Sequence, residues 1–190
     1  FPKPVSVRNA VSAAVAKYGG NPGRSGHKLS MEVSSQVFRV REQAAKMFSA
    51  ETENVAFTAK CTFAVNMAVK GIMQYGGHII ISDYEHNAVS RPVYSLSQTR
   101  GVDYSIAKVT DSTDETIANF EKLINPRTKC ICCTVASNVT GRILPYREIA
   151  DLCKRKGLCF ILDGAQGCGL LDLSLQDGFN FLCTAGHKSL

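Results

Sequence analysis

Apolar and polar residues follow two different periods along the chain, and the change of period separates predicted strands from predicted helices. From about residue 54 onward, short apolar runs alternate with stretches of helical spacing, which is typical of βαβ units. Several runs are apolar along their whole length, as expected for parallel strands covered on both faces. The pattern predicts an α/β fold with a mainly parallel central sheet and helices on both faces. The predicted strands are residues 55–58, 78–82, 103–109, 130–136, 159–163 and 179–183.

Two helices are predicted ahead of the sheet. Apolar residues at positions 33, 37, 40, 44 and 47 have helical spacing, so a helix is expected over residues 31–48 with Ser30 as its N-cap. Another helix is expected over residues 5–18. The nine residues between them, 19–27, contain four glycines and one proline and are predicted to form a loop.

A third helix has both of its ends marked in the sequence. Pro145 suits the first turn, and Ile149, Leu152 and Cys153 form an inward-facing apolar stripe. Three basic residues precede Gly157, which is expected to end the helix. The basic residues are better explained by compensation of the helix dipole than by ligand binding.

The net charge of +6 comes from 22 Lys and Arg against 16 Asp and Glu, and all of it lies in residues 1–50. The basic residues there stand singly among apolar ones, which favours a solvated or anion-facing surface over a nucleic-acid-binding one. No apolar run approaches the roughly 20 residues of a membrane span. The length of 190 residues and the 45% hydrophobic content predict one domain over residues 1–190.

Eight cysteines would indicate disulfides in a small secreted protein, but this chain is long enough to build a core without them. Several lie in predicted buried strands, and the four histidines lack metal-ligand spacing, so we expect reduced thiols and no metal site. The chain shows no secretory leader, so no secretory signal is expected. It opens with Phe1 and not with Met, so Phe1 is not expected to be the natural first residue. A cytoplasmic location is predicted.

Polar side chains follow the predicted strands where each one ends, and in a parallel sheet these points share one edge. Each is ordinary alone, because an Asp can cap a helix and a Lys near a chain end is usually solvated. Together they offer an amine for a Schiff base, a carboxylate for a ring nitrogen, a flat ring for stacking and a helix N-terminus for a phosphate. The set suits a phosphorylated aldehyde cofactor. Its members are Cys61-Thr62, Glu85-His86, Ser137-Asn138, Asp163 and Gly186-His187-Lys188.

These segments resemble the class V aminotransferase family of pyridoxal-phosphate (PLP) enzymes, and within it the cysteine desulfurase group. They stand in the family's order and near its spacings across essentially the whole chain. The matching segments are Gly20-Asn21-Pro22 with His27, Phe57-Thr58 with Cys61-Thr62 and Asn66, Glu85-His86, Ser137-Asn138-Val139-Thr140-Gly141, Asp163-Gly164-Ala165-Gln166 and Gly186-His187-Lys188.

The resemblance implies a role for each site residue. Lys188 would carry PLP as a Schiff base, Asp163 would pair with the ring nitrogen, and His86 would stack on the ring and assist proton transfer. The same resemblance implies that Gln166 and Asn138 hydrogen-bond the cofactor or orient the substrate. Cys61, Thr62 and His187 would hold the phosphate. Ala185 stands where the family often has a phosphate-binding serine.

The resemblance also implies what lies outside the 190 residues. The chain would be the major part of the PLP-binding large domain of a fold-type I transferase, without the small C-terminal domain. The persulfide-forming cysteine and the arginine that binds the substrate carboxylate are expected in the absent part. The 190-residue chain alone is therefore expected to be inactive.

The implied activity is that of a PLP-dependent cysteine desulfurase, which converts L-cysteine to L-alanine and transfers the sulfur to an enzyme cysteine. A homodimer and a sulfur-acceptor protein are the implied partners. Two alternatives stay open at this point. The first is another class V reaction, either transamination or a β-elimination such as that of selenocysteine lyase, and the second is an inactive fragment that binds no cofactor.

Overall fold

The computed structural model describes residues 2–23 and 26–190. Two compact units are distinguished along the chain, one that ends at Phe57 and one that spans Thr58–Leu190. The predicted loop over residues 19–27 is irregular where it is described, and its residues Arg24 and Ser25 lie outside the described part. The prediction of one domain over residues 1–190 stays a prediction.

The first unit contains helices α1 (Val5–Lys17) and α2 (Lys28–Met47), followed by the short 3₁₀ turn Thr52–Asn54. Helix α2 begins earlier than predicted, and the prediction of Ser30 as its N-cap is wrong. The N-cap is His27, whose Nδ1 accepts a hydrogen bond from the Ser30 N–H at 3.2 Å. A ring nitrogen can accept in the same way as a serine oxygen. Ser30 itself is buried within the helix, and its hydroxyl donates to the Asn21 carbonyl.

The second unit is a five-stranded parallel sheet, with helix α3 ahead of the first strand and helices α4, α5 and α6 in the connections between strands. The strand order is β2-β1-β3-β4-β5. Strand β2 lies on one side of β1, and β3, β4 and β5 follow on the other side, so the order of strands reverses between β1 and β3. Ligands of open α/β sheets bind at the carboxyl ends of strands where such a reversal occurs. In chain order the elements are α3 (Cys61–Ile72), β1 (Gly77–Ser82), α4 (Asn87–Thr99), β2 (Val102–Ala107), α5 (Thr113–Glu121), β3 (Thr128–Thr134), α6 (Tyr146–Lys156), β4 (Cys159–Asp163), a 3₁₀ turn (Leu175–Asp177) and β5 (Phe181–Cys183).

Five of the six predicted strands are confirmed to within a few residues at their ends, and the strand predicted at residues 55–58 is wrong. Val55 has an extended backbone, with φ −91° and ψ 118°, but no strand of the described chain pairs with it. An apolar run with extended dihedrals becomes a strand only when a neighbouring strand completes its hydrogen bonds. The predicted third helix is confirmed as α6, which ends at Gly157 in the left-handed conformation.

Both faces of the sheet are covered, as the continuous apolar runs predict. Ile79 and Ile81 of β1 pack on one face in a cluster that includes residues of α3 and α4. Ile80, between them in the sequence, is also fully buried, since successive strand residues point to opposite faces. Helices α5 and α6 pack against each other, and α6 contacts β3 and β4. Among the helices of the described residues, none is both long enough and apolar enough to cross a bilayer.

The eight cysteines are all free thiols, seven of them buried and Cys159 half-buried. Burial raises the pKa of every one of these thiols. At pH 7 we expect the native thiols to react with DTNB at least about 10-fold more slowly than free cysteine, because the thiolate is the reactive form. In denaturant and without reductant, eight thiols per chain should react. A lower count would contradict the absence of disulfides.

Candidate active site

All eight site residues predicted from the sequence line one cleft of about 230 Å³ at the carboxyl edge of the sheet. The volume is below the roughly 300–1,000 Å³ of pockets for drug-sized ligands, so the cleft suits one small molecule. The eight residues come from five separate stretches of chain, which only the parallel order of strands brings together. They are Cys61, Thr62, His86, Asn138, Asp163, Gln166, His187 and Lys188.

Asp163 supplies the buried negative charge of the cleft. It is the last residue of β4 and only 3% of it is exposed. Its Oδ1 accepts hydrogen bonds from the Ala165 N–H at 3.0 Å and from the Cys61 thiol at 3.3 Å. A buried carboxylate with two donors on one oxygen can still accept a further, charged donor.

Cys61 contacts this carboxylate, and Lys188 lines the same cleft. The pKa of the Cys61 thiol is raised, first by burial and then by the negative charge and hydrogen bond of Asp163. The positive charge of Lys188 acts in the opposite direction on the same thiol, which places the Lys188 amine within electrostatic range of Cys61. The cleft therefore holds an amine and a carboxylate that both act on one thiol.

Helix α3 directs its N-terminus into the cleft. Cys61 and Thr62 are its first two residues, and no side chain of the N-cap residue Lys60 caps them. The first N–H groups of a helix have no partner within the helix and carry partial positive charge, so they bind anions. Lys60 also lines the cleft and adds a cation at this end. This part of the cleft is suited to a phosphate group.

His86 is fixed at the N-terminus of α4. Its Nδ1 accepts a hydrogen bond from the Ala88 N–H at 3.0 Å, so His86 is the N-cap of that helix. An Nδ1 that accepts carries no proton, and the neutral ring therefore has its proton on Nε2. The cap holds the imidazole at the wall of the cleft in one orientation.

Two tight turns place the amide side chains. Ser137 Oγ accepts the N–H groups of Val139 and Thr140, both at 3.3 Å, and Gly141 closes this turn with a positive φ of 74°. Asn138 projects from the turn into the cleft. Gln166 follows Gly164, where an added Cβ would lie 2.7 Å from both Cys168 Sγ and Leu182 Cδ1. A larger residue at this position would require those two side chains to shift.

Sequence patterns missed some of the residues that line the cleft. Thr134 and Ala136 lie at the end of β3, in a run that the strand pattern had located. Their small neutral side chains give no chemical signal in the sequence, so they were not predicted to line the cleft. Glu85 belongs to a strand-end pair found in the sequence, yet it does not line the cleft. Its carboxyl group is buried and accepts a hydrogen bond from the Thr134 N–H at 2.9 Å.

The cleft fits PLP, the cofactor that the sequence resemblance implies. The uncapped α3 N-terminus suits the phosphate, the buried Asp163 carboxylate suits a protonated ring nitrogen, and the Lys188 amine suits the aldehyde. The flat imidazole of His86 stands at the wall where a ring could stack. The roles of individual residues stay predictions.

Comparison with known proteins identifies the family. The sequence profile described as "Aminotransferase class-V" matches residues 2–190. The chain belongs to the class-V aminotransferase family. A probable cysteine desulfurase of Vibrio cholerae is 28% identical to this class-V chain, and the match covers 98% of the chain. A cysteine desulfurase of Synechococcus elongatus is 31% identical over 98% of the chain.

A solved structure shows the same fold. The apo structure of a cysteine desulfurase from Thermococcus onnurineus NA1 is 25% identical, matches 100% of the chain and superposes with a TM-score of 0.90. The predicted fold class is confirmed by this overlap. The class-V chain spans 48% of that structure, 48% of the Vibrio protein and 31% of the Synechococcus protein. It therefore covers less than half the length of these relatives.

Proposed function

We propose that the chain is the PLP-binding part of a cysteine desulfurase. The observation that carries the proposal is the convergence of the buried Asp163 carboxylate, Lys188 and the uncapped N-terminus of α3 in one small cleft. An anionic phosphate, a cationic ring nitrogen and an aldehyde belong to one cofactor, and the cleft offers one group for each. The similarity to cysteine desulfurases of Vibrio and Synechococcus supports the choice within the class-V family.

PLP, when bound, supplies an electron-accepting ring that stabilises negative charge at the α-carbon of an amino acid. Asp163 keeps a proton on the ring nitrogen by holding a negative charge beside it. The N–H groups of Cys61 and Thr62 hold the phosphate, with His187 and Lys60 beside them. Lys188 would hold the aldehyde carbon through its side-chain nitrogen, and its amine, once the amino group of the substrate has replaced it there, would accept the α-proton of the substrate.

The remaining cleft residues orient the reactants. His86 stacks on the ring and offers its Nε2 for proton transfer, since its Nδ1 is engaged by α4. Asn138 and Gln166 offer amide groups to the phenolic oxygen of the ring and to the substrate.

In the proposed reaction, the C–S bond of L-cysteine breaks and its sulfur atom joins a protein thiol as a persulfide. L-alanine is released with the proton that the thiol gives up, so that atoms and electrons balance without an oxidant. The acceptor must be a reactive thiolate. Among the described residues that line this cleft, Cys61 is the only cysteine, and burial and Asp163 raise its pKa. The acceptor is therefore proposed to lie outside the 190 residues.

We expect no L-alanine from L-cysteine when the 190-residue chain is assayed with PLP, although near-visible absorbance should report that PLP binds. The assay measures alanine by chromatography, with a full-length relative such as the Vibrio protein as the positive control. Sustained alanine formation by the chain would mean that one of its own buried thiols accepts sulfur. Pyruvate in place of alanine would assign a β-elimination, and no absorbance change would contradict cofactor binding.

A homodimer, a sulfur-acceptor protein and a cytoplasmic location complete the proposal. Phe63 and Met67 are one helical turn apart on α3 and each is 55% exposed, which favours a protein interface on that helix. Eight free thiols suit a reducing compartment. Residues 1–190 are proposed to form the major part of the large domain of the enzyme.

A further inference from the structure

The carboxyl group of Glu85 lies in the protein interior between the ends of β1 and β3. Its Oε1 accepts hydrogen bonds from the Ser82 hydroxyl and from the Thr134 N–H, the latter at 2.9 Å. Its Oε2 is buried and has no hydrogen-bond partner among the described residues. An ionised carboxylate with one oxygen in this state would be strongly destabilised, whereas a protonated one is not.

Among the described residues, the hydrogen-bond partners of Glu85 carry no positive charge. Asp163 of β4 acts on Glu85 electrostatically, and it is itself a carboxylate. Cys132 and Cys133 of β3 also interact electrostatically with Glu85. Burial raises the pKa of both thiols, so both are neutral. Ser82 and Thr134 supply only neutral donors. Burial raises the pKa of Glu85 to about 8, against a smaller opposite effect of these two hydrogen bonds.

We propose that Glu85 is a positioning residue which holds a proton, fixes the loop that carries His86 to the sheet, and leaves Asp163 as the single carboxylate of this cluster. The part that concerns His86 and the cofactor rests on the proposed function. The part that concerns the proton of Glu85 stands without it, because it depends only on the contacts of the carboxyl group.

The loop from Asp83 to Glu85, which leads directly to His86, is short and anchored at both ends. Asp83 Oδ1 accepts the Val109 N–H at 3.0 Å, which ties the start of the loop to the residues after β2. Glu85 ties its end to β3 at Thr134, a residue that also lines the cleft. His86 follows directly and caps α4. When Glu85 loses its proton, repulsion from Asp163 and the unpaired Oε2 oppose the anchored position, and the orientation of His86 is expected to loosen.

The sign of the pH effect follows from the direction of the shift. The ordinary pKa of 4.5 is raised to about 8 in the folded chain, so folded Glu85 binds a proton more tightly than unfolded Glu85. The stability due to this proton is fully present below the unfolded pKa and is lost as the pH rises toward the folded value. Glutamine keeps the shape and the neutral state of the protonated side chain at every pH.

The first test uses the 190-residue protein without cofactor. Infrared spectra of protein with ¹³C-labelled glutamate should show a protonated carboxyl band at pH 6 that disappears as the pH passes about 8. Glu85→Gln should lack the band, and Glu121→Gln should keep it, since Glu121 is exposed and paired with Lys156. The melting temperature of Glu85→Gln minus that of the wild type should rise from pH 5 to pH 8. No band at pH 6, or equal pH dependence of melting, would overturn the proposal.

The second test examines positioning in the presence of PLP. Glu85→Gln should bind PLP with the wild-type affinity and the wild-type circular dichroism of the near-visible band, which reports the orientation of the bound ring. Glu85→Ala should lose that dichroism and bind about 10-fold more weakly, in line with the loss of a buried hydrogen bond. Wild-type dichroism in a folded Glu85→Ala would contradict the positioning role.

The two tests separate the possible failures. If PLP binds to none of the proteins, the proposed function fails, while the infrared band and the melting profile still decide the protonation of Glu85. If PLP binds but no protonated carboxyl is present, the inference about Glu85 fails alone. If Glu85→Ala does not fold, the glutamine variant and its infrared spectrum remain sufficient.

Discussion

Replacing Lys188 with alanine is expected to abolish covalent attachment of PLP to the chain. Lys188 lines the cleft with Asp163, and Lys60 is the one other lysine among the described residues that line it. Lys60 stands at the N-terminus of α3, where the phosphate is proposed to bind, so it cannot replace Lys188 at the aldehyde. Mass spectrometry after borohydride reduction should show one added cofactor in the wild type and none in Lys188→Ala.

The fold should survive this change. Lys188 is half-buried in the segment after β5. Its backbone N–H donates a hydrogen bond to the Ala185 carbonyl at 3.1 Å, a contact that alanine retains. Lys129→Ala is the matched control, because Lys129 lies near the opposite, amino edge of the sheet. It should keep full cofactor attachment. Reduction that still labels Lys188→Ala to the wild-type level would show that another lysine carries the cofactor.

Asp163→Asn is expected to weaken PLP binding about 10- to 150-fold, which corresponds to the roughly 1.5–3 kcal/mol of a charge-assisted hydrogen bond. Asparagine keeps an acceptor for the Ala165 N–H and the Cys61 thiol but removes the negative charge. The dissociation constant is measured by titration of near-visible absorbance. Asp151→Asn, an exposed change on α6, should leave it unaltered.

The asparagine variant is preferable to alanine because Asp163 is part of the buried structure. Alanine would leave the Ala165 N–H and the Cys61 thiol without their acceptor, at a cost of about 1–3 kcal/mol in the free energy of unfolding. We therefore expect Asp163→Ala to lower thermal stability as well as cofactor binding. Unchanged affinity in a folded Asp163→Asn would contradict the proposed pairing with the ring nitrogen.

The sequence was sufficient to locate the sheet and eight of the residues that line the cleft. Runs such as Ile79–Ile81 are apolar on both faces, and only buried parallel strands are expected to be so. Once the strands are located and assumed parallel, the residues after each strand must share an edge. This is why Asp163 and Lys188 could be placed together although no local pattern joins them.

Features that depend on which residues meet in the folded chain, and not on local composition, could not be predicted. Residues 55–58 have strand-like composition, but whether a strand forms depends on a partner elsewhere in the chain. The N-cap of α2 was misplaced because a histidine ring can cap as well as a serine hydroxyl. The contact of Glu85 with Thr134 joins residues 49 positions apart, and it depends on the register of β1 against β3.

The shortness of β5 has a consequence for motion. This strand pairs with β4 through three residue pairs, at one end of the strand order, and the segment that bears Lys188 follows it directly. Native proteins open locally in small cooperative units, and short terminal strands with few hydrogen bonds need the least free energy to open. Detachment of β5 would carry Lys188 away from Asp163 while the central strands stay folded. Cofactor bound to both residues would oppose that opening, so the ligand itself would stabilise the pairing of β5 with β4.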